Sequence, residues 1–490
     1  MTPAATKHRT SPVTVTSYSA PSTTAPSTTS DCDASPGAVA YGGRTSVDQG
    51  NNVNWDFSTD VAMWTGGASG DFDVAANWST GMVPSNSTHV VIMLGDGETA
   101  AVTIPAASPA TIGALVLGAD VGGSATLTAS GALTVCGDAD VRSGGTLVLD
   151  AYNDAGAAPN VVSNDFRVYS GGTVTHSGPA ATENAKIHLA VFGDMTVDDG
   201  AKVTANAKGY LSCYSPAGYE GSQHGAVHAG YANVELCEPY GSILSPVSWG
   251  AAGGASINGG GAIHLVVSGD LVVNGSITAN GTGEQFYSGC GGSVWLECAS
   301  LTGSGTISAR ESVTSMLNAN YTASGGRIAV YQRAARDFSA FPKSRILATT
   351  GSNNSCGTVY LEGSDPSRGG DLYVESGQAN RTSYATCFPM ADDGDAKTAY
   401  QNVNLIIGLG GWLKVSRGAG NVPQKIRLRS LQLTEASSKL DLGVNFLEVA
   451  DPDWRKDRDW SPSATVNVEA YNHVYGEILW LSRGLMLIVR

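Results

Sequence analysis

The sequence predicts an all-β protein: a single-stranded, right-handed parallel β-helix (a β-solenoid), with an aromatic-rich N-terminal cap and inserted loops. Three observations predict it. The first is a repeated line. GGAIHLVVSGDLVVNGSITANG, CGGSVWLECASLTGSGTISAR and GGRIAVYQ each open on glycines and run into a short apolar strand. Ile263, Val294 and Ile328 hold the same place in each, at separations of 31 and 34 residues. Short strands and glycine turns at such a period describe a solenoid. The second is composition: 62 glycines in 490 residues and only 14% charged residues, against about a quarter in an average domain. The third is periodicity, since alternation of apolar and polar residues is common and no stretch of helical length shows helical periodicity.

The repeat extends in both directions. Ile187 stands in register 76 residues before Ile263, and Val359 stands 31 residues after Ile328. A second marker, Asp-x-x-Val, recurs at Asp138, Asp165, Asp194 and Asp270, each preceded by Gly or Asn. That pairing belongs to a tight turn, so these aspartates read as turn residues and not as catalysts. Handedness follows the common sense of parallel crossovers.

In chain order, residues 1–35 are rich in Ser, Thr, Pro and Ala and read as a disordered or stalk-like segment. They carry no basic-then-apolar export signal, and the abrupt start reads as a piece of a longer chain. Residues 36–100 form the predicted cap and entry strands, with Trp55, Trp64 and Trp78 available to cover the open end of an apolar core. Residues 101–400 are the predicted solenoid. The 76-residue step from Ile187 to Ile263 is more than twice the usual one, which places an insertion at 209–259. That insertion holds the densest aromatic and titratable cluster of the chain: Cys213, Tyr214, Tyr219, Glu220, His224, His228, Tyr231, Glu235, Cys237, Glu238, Tyr240 and Trp249. It reads either as a functional loop on a rigid scaffold or as a surface loop clipped by Cys213 and Cys237. A broken rung is expected over 333–358, and residues 401–490 supply further strands that close the solenoid.

The W-T-G-G motif at Trp64, followed by A-x-N-W ending at Trp78, a proline and the strand HVVIML, resembles the entry module of large secreted bacterial β-solenoid proteins of the autotransporter-like and haemagglutinin-like kind. The GGAI, GGSVWL and GGRIAVY lines resemble the glycine-rich repeats of that group. The resemblance spans roughly residues 40–380. It implies a β-solenoid fold and an extracellular or cell-surface location, and it brings no catalytic motif.

A formal net charge of −15 opposes association with phosphate backbones, so no nucleic-acid partner is expected. The final apolar run is too short to span a bilayer and Arg483 breaks it, so no membrane-spanning segment is expected. Asp392, Asp393 and Asp395 are candidate calcium ligands, because hard cations take several closely spaced carboxylates. The twelve-residue calcium loop is absent, and a solvated acidic turn is the alternative. None of the eight cysteines stands in CxxC spacing, which disfavours zinc. Cys136 falls within a rung and reads as a buried thiol.

The candidate ligand site is a strip formed by stacking. If Ile187 and Leu189 face the core, His188 faces out. The same outward column then holds His264, Trp295, Ala329 and Tyr360, and its neighbour holds Ala190, Val266, Glu297, Tyr331 and Glu362. Imidazole, indole, phenol and carboxylate in a row suit a polysaccharide or cell-surface glycan. The alternative is that the insertion, another copy or a surface protein packs on the strip. The expected function is an extracellular structural or adhesive β-solenoid, with a glycan as candidate ligand. The runner-up is a polysaccharide lyase or glycoside hydrolase on a parallel β-helix.

Overall fold

The computed structural model describes residues 60–450, apart from 220–225, 232–237, 255, 284–286, 312–322, 351–353, 366, 378–383 and 417–421. Outside that range it gives the backbone of short strands near both ends, and Trp55 carries no side-chain description.

The regular secondary structure of the described chain is almost wholly β-strand, and most strands lie in parallel sheets. Three sheets dominate, of eight, nine and eleven strands. From Ala110 onwards the chain visits them in rotation. Ala110–Ile112 lies in the eleven-stranded sheet, Ala114–Ala119 in the eight-stranded sheet and Ser124–Ala129 in the nine-stranded sheet. Leu133–Val135 returns to the first of these, beside Ala110–Ile112. The rotation continues to Thr306–Ser308.

Register places like residues on like. In the eleven-stranded sheet Ile187, Ile263, Val294, Ile328 and Val359 pair in succession, as do Leu189, Leu265, Leu296, Val330 and Leu361. In the nine-stranded sheet Val102, Leu127, Leu147, Val174, Val203, Ile277 and Ile307 form one column. All of these side chains belong to one buried apolar cluster. Full burial of each contributes about 1.5–3 kcal/mol.

The repeated glycines answer to space. A Cβ on Gly292 would lie 1.9 Å from the Gly261 carbonyl oxygen, and one on Gly326 would lie 2.1 Å from that of Gly292. The backbone therefore stacks on itself at this corner, and only glycine fits. The Asp-x-x-Val aspartates form a ladder. Asp138 Oδ1 accepts from Asp165 N (3.2 Å), Asp165 Oδ1 from Asp194 N (2.8 Å), and Asp194 Oδ1 from Asp270 N (2.8 Å).

Trp64, Phe72 and Trp78 are buried at the N-terminal end of the core and pack edge to face, with centroids 5.3 Å apart for Trp64–Trp78 and 4.9 Å for Phe72–Trp78.

Three expectations are corrected. The parallel stack does not run to residue 400. It ends at Glu362, where the chain turns back and Gly370–Val374 pairs antiparallel with Thr358–Glu362. The turn is held by Asp365 Oδ1, which accepts from Ser367 N (2.9 Å) and Ser367 Oγ (2.6 Å), and by Gly369 at φ 67°. Val403–Ile407 and Ser430–Leu433 then run parallel to Gly370–Val374 in the same sheet. These strands, with Trp412–Val415, Lys425–Leu428, Lys439–Gly443 and Phe446–Val449, enclose a second buried apolar cluster. Leu372 pairs with Tyr360, whose side chain lies opposite Val359 and Leu361, so this second core lies on the other side of the shared sheet. Secondly, Cys136 is exposed, because it falls just after the strand Leu133–Val135, at the turn. Thirdly, Cys213 is a free buried thiol; its proposed partner Cys237 lies outside the described residues.

Candidate functional site

The outward column of the eleven-stranded sheet has the predicted register: His188 beside His264, then Trp295, Ala329 and Tyr360. Beside it run Ala190, Val266, Glu297, Tyr331 and Glu362. The rings stack along the parallel strands. The His188 and His264 centroids are 4.4 Å apart, and those of His264 and Trp295 are 3.8 Å apart with planes inclined by 3°. Tyr331 and Tyr360 follow at 5.5 Å. His264 Nε2 lies 3.4 Å from Glu297 Oε1, and Arg333 holds the other oxygen of the same carboxylate. The hydrogen bond from His264, together with the Arg333 charge, keeps Glu297 below the usual carboxylate range. Tyr360 donates to Glu362.

Parts of the strip are covered, as in the alternative in which the insertion packs on it. His188 is 4% exposed, Tyr360 3% and Ala329 0%. His188 is closed in by Asn153, whose N–H donates to its Nδ1 at 3.3 Å, and by the His264 ring; two coverings account for the rest. Leu244 of the insertion, Trp295 and Tyr331 all pack against the second core, and the Tyr331 hydroxyl donates to the Leu244 carbonyl at 2.6 Å. The reversed strands bring the second core over Ala329 and Tyr360. The Trp295 indole N–H is left buried with no hydrogen-bond partner, a state that disfavours a dry environment for this ring.

The insertion is docked by buried polar groups. Arg327 is fully buried and its guanidinium donates to the carbonyls of Tyr240 (3.0 Å) and His228 (3.4 Å) and to Thr358 Oγ1 (3.4 Å). Burial draws its pKa below the ordinary arginine value. His228 Nδ1 lies 2.7 Å from the Gly291 carbonyl, and burial lowers its pKa to about 3. Trp249 is fully buried beside His176 and donates from Nε1 to the Ala185 carbonyl at 3.0 Å. Tyr231 donates to Glu238 at 3.2 Å. The side chain of Tyr219, and Glu220, His224, Glu235 and Cys237, lie outside the described residues.

The candidate calcium ligands have other partners. Asp393 accepts from Ser242 Oγ, from the backbone N–H groups of Ile243 (3.0 Å) and Leu244 (3.2 Å), and from the Tyr400 hydroxyl. Asp395 caps the one-turn helix Ala396–Ala399, accepting from Lys397 N at 3.1 Å, and Asp392 is exposed. The three carboxylates do not converge, because Asp393 points at the insertion while Asp395 points along its own chain.

One feature was not singled out from the sequence. Beside His188 and His264 a shallow cleft is lined by Tyr152, Asp154, Lys186 and Val247. Lys186 Nζ sits 2.7 Å from both Asp154 and Glu183, and 4.9 Å from the Tyr152 ring. Burial opposes its charge, but Glu183 and Asp154 hold its pKa above the ordinary lysine value. Glu183 also accepts from Tyr210 Oη (3.3 Å) and Trp249 N (2.8 Å). Burial, reinforced by His264, draws His188 down to about 4. The sequence signal was Glu183-x-x-Lys186, directly ahead of the Ile187 strand.

No described helix is long and apolar enough to cross a membrane. Comparison of the chain with protein-family models, with curated proteins and with solved structures finds no match.

Proposed function

We propose that the chain is an extracellular, cell-surface structural or adhesive β-solenoid. In this reading the three large sheets are faces of one right-handed coil, and the reversed C-terminal strands form a second coil buttressing it. The observation that carries the reading is the use made of the chemistry-bearing strip: Tyr331 donates to the Leu244 carbonyl of the insertion, and Trp295, Ala329, Tyr331 and Tyr360 pack with the second core on the outer face of the sheet. The cleft supports the same reading. A lyase base must be able to shed its proton, whereas Lys186 is held protonated between two carboxylates. The low charge and the Ser/Thr-rich leading segment fit a surface location.

The test compares wild type with the Trp295→Ala, Tyr360→Ala double variant. The expected result is a loss of stability of about 3 kcal/mol or more with no change in the pattern of a glycan array. A folded, equally stable variant that loses glycan binding would show instead that the strip is a ligand surface.

A further inference from the structure

The nine-stranded sheet presents a different outward face. Its inward column, from Val102 to Ile307, lies in the core, so the flanking positions of each strand point out. One outward column contains Thr126, Thr146, Thr173, Ser276 and Thr306. The other contains Thr103, Thr128, Thr175, Thr204, Thr278 and Ser308. Across these seven strands eleven of fourteen outward positions are Thr or Ser; the exceptions are Ala101, Val148 and Lys202. The eight-stranded sheet has no such array: its outward column includes Val116, Asp140, Arg167 and Thr196 in register.

We propose that this face is an ice-binding surface. The spacing is fixed by the fold: about 4.8 Å between strands and about 6.7 Å between alternate side chains of one strand. Repeats of this size occur in the oxygen lattice on the faces of ice. A hydroxyl and a methyl at each point can hold ordered water in that lattice. The hydroxyls of Thr103, Thr126, Thr128, Thr146 and Thr173 make no hydrogen bond to the described protein, whereas Thr175 donates to the Thr204 carbonyl, Thr278 to Thr204 Oγ1 and Ser308 to Asn280 Oδ1, and Thr175 and Ser308 are buried; the available part of the array is therefore centred on Thr103 to Thr173. Charge agrees with an uncharged occupant. The chain carries −15, yet this array has a single charged member, Lys202. No aromatic ring stands in the array to stack on sugar faces, which argues against a crystalline polysaccharide. Threonine is also a common filling of exposed strands, so the assignment rests on the two-dimensional register. It goes beyond the scaffold reading and uses a different face.

The test places fluorescently labelled full chain on a growing ice crystal and measures partition into ice and inhibition of recrystallisation. Microcrystalline cellulose serves as a parallel solid. Wild type should enter the ice and suppress recrystallisation. The Thr146→Lys, Thr173→Lys variant should lose both, and Thr196→Lys, on the neighbouring face, should keep both, all three giving the same circular dichroism. Exclusion of wild type from ice, binding to cellulose alone, or undiminished ice activity in the Thr146→Lys, Thr173→Lys variant would each overturn the proposal.

Discussion

His176 and His228 show how far this fold reshapes single groups. Both are buried and neutral, with pKa values drawn to about 3 by burial. His176 accepts from Ala262 N on Nε2, which leaves Nδ1–H for the Ser177 carbonyl at 2.5 Å. The unfolded chain binds a proton on each below its ordinary value of about 6.5, while the folded chain does so only near 3. Their contribution to stability is complete above about pH 6.5 and is lost as pH falls toward 3, at roughly 1.4 kcal/mol per pH unit for each histidine. Urea unfolding between pH 7 and 5 should show this slope in wild type, and His228→Gln should remove one proton's share of it. Equal slopes in the two proteins would refute the assignment. Asp194 belongs to the opposite class of residue. Its role is to accept one backbone N–H per rung, which an asparagine carbonyl also does. Asp194→Asn should therefore change stability by less than about 0.5 kcal/mol, read from the denaturant midpoint. A larger loss would mean that the charge itself matters there.

At the scale of elements, what could be read ahead of the structure was whatever depends on local repetition. Glycine pairs before an apolar strand, and Gly-Asp or Asn-Asp at the turn, fix register, because each strand of the parallel sheet meets a neighbour built the same way. Hence Ile187, Ile263, Val294, Ile328 and Val359 pair as their spacing implies. The outward column was legible too, by alternation. Packing of the insertion on that column was one of the two readings the residues left open; the reversed strands that cover its far end were not foreseen. The turn at 363–369 carries a clear turn signal in Gly363, Ser364, Asp365 and Gly369, but the successive parallel strands are also joined by such turns, so nothing local says that Gly370–Val374 pairs with the strand just completed. The docking of the insertion through Asp393 joins positions about 150 residues apart in sequence, and a carboxylate so employed looks from the sequence like one of an acidic trio. Asp393→Asn replaces an acceptor with a donor that faces donors. It should weaken this docking by about 2 kcal/mol and speed proteolysis within 209–259, with the rungs before it unaffected. Unchanged cleavage would show that the insertion is held elsewhere.

For the whole molecule, the consequence is a sheet with a core on each side. Its inner face seals the first apolar cluster along the stack, and its outer face, from Trp295 to Tyr360, meets the insertion and the second cluster. A strip that reads as a binding surface thereby becomes an internal joint. The outward positions of the other two sheets differ from this joint, one sheet being mixed in charge and the other rich in threonine.

Hydroxyl-radical footprinting of the native chain, read residue by residue by mass spectrometry, tests this joint most directly. Met82 and Phe192, which are 66% and 60% exposed, supply the fast reference. Trp295, Tyr331 and Tyr360 should label far more slowly than these, and should reach comparable rates only after unfolding. Labelling of Trp295 and Tyr360 in the native chain at the rates of Met82 and Phe192 would contradict the account.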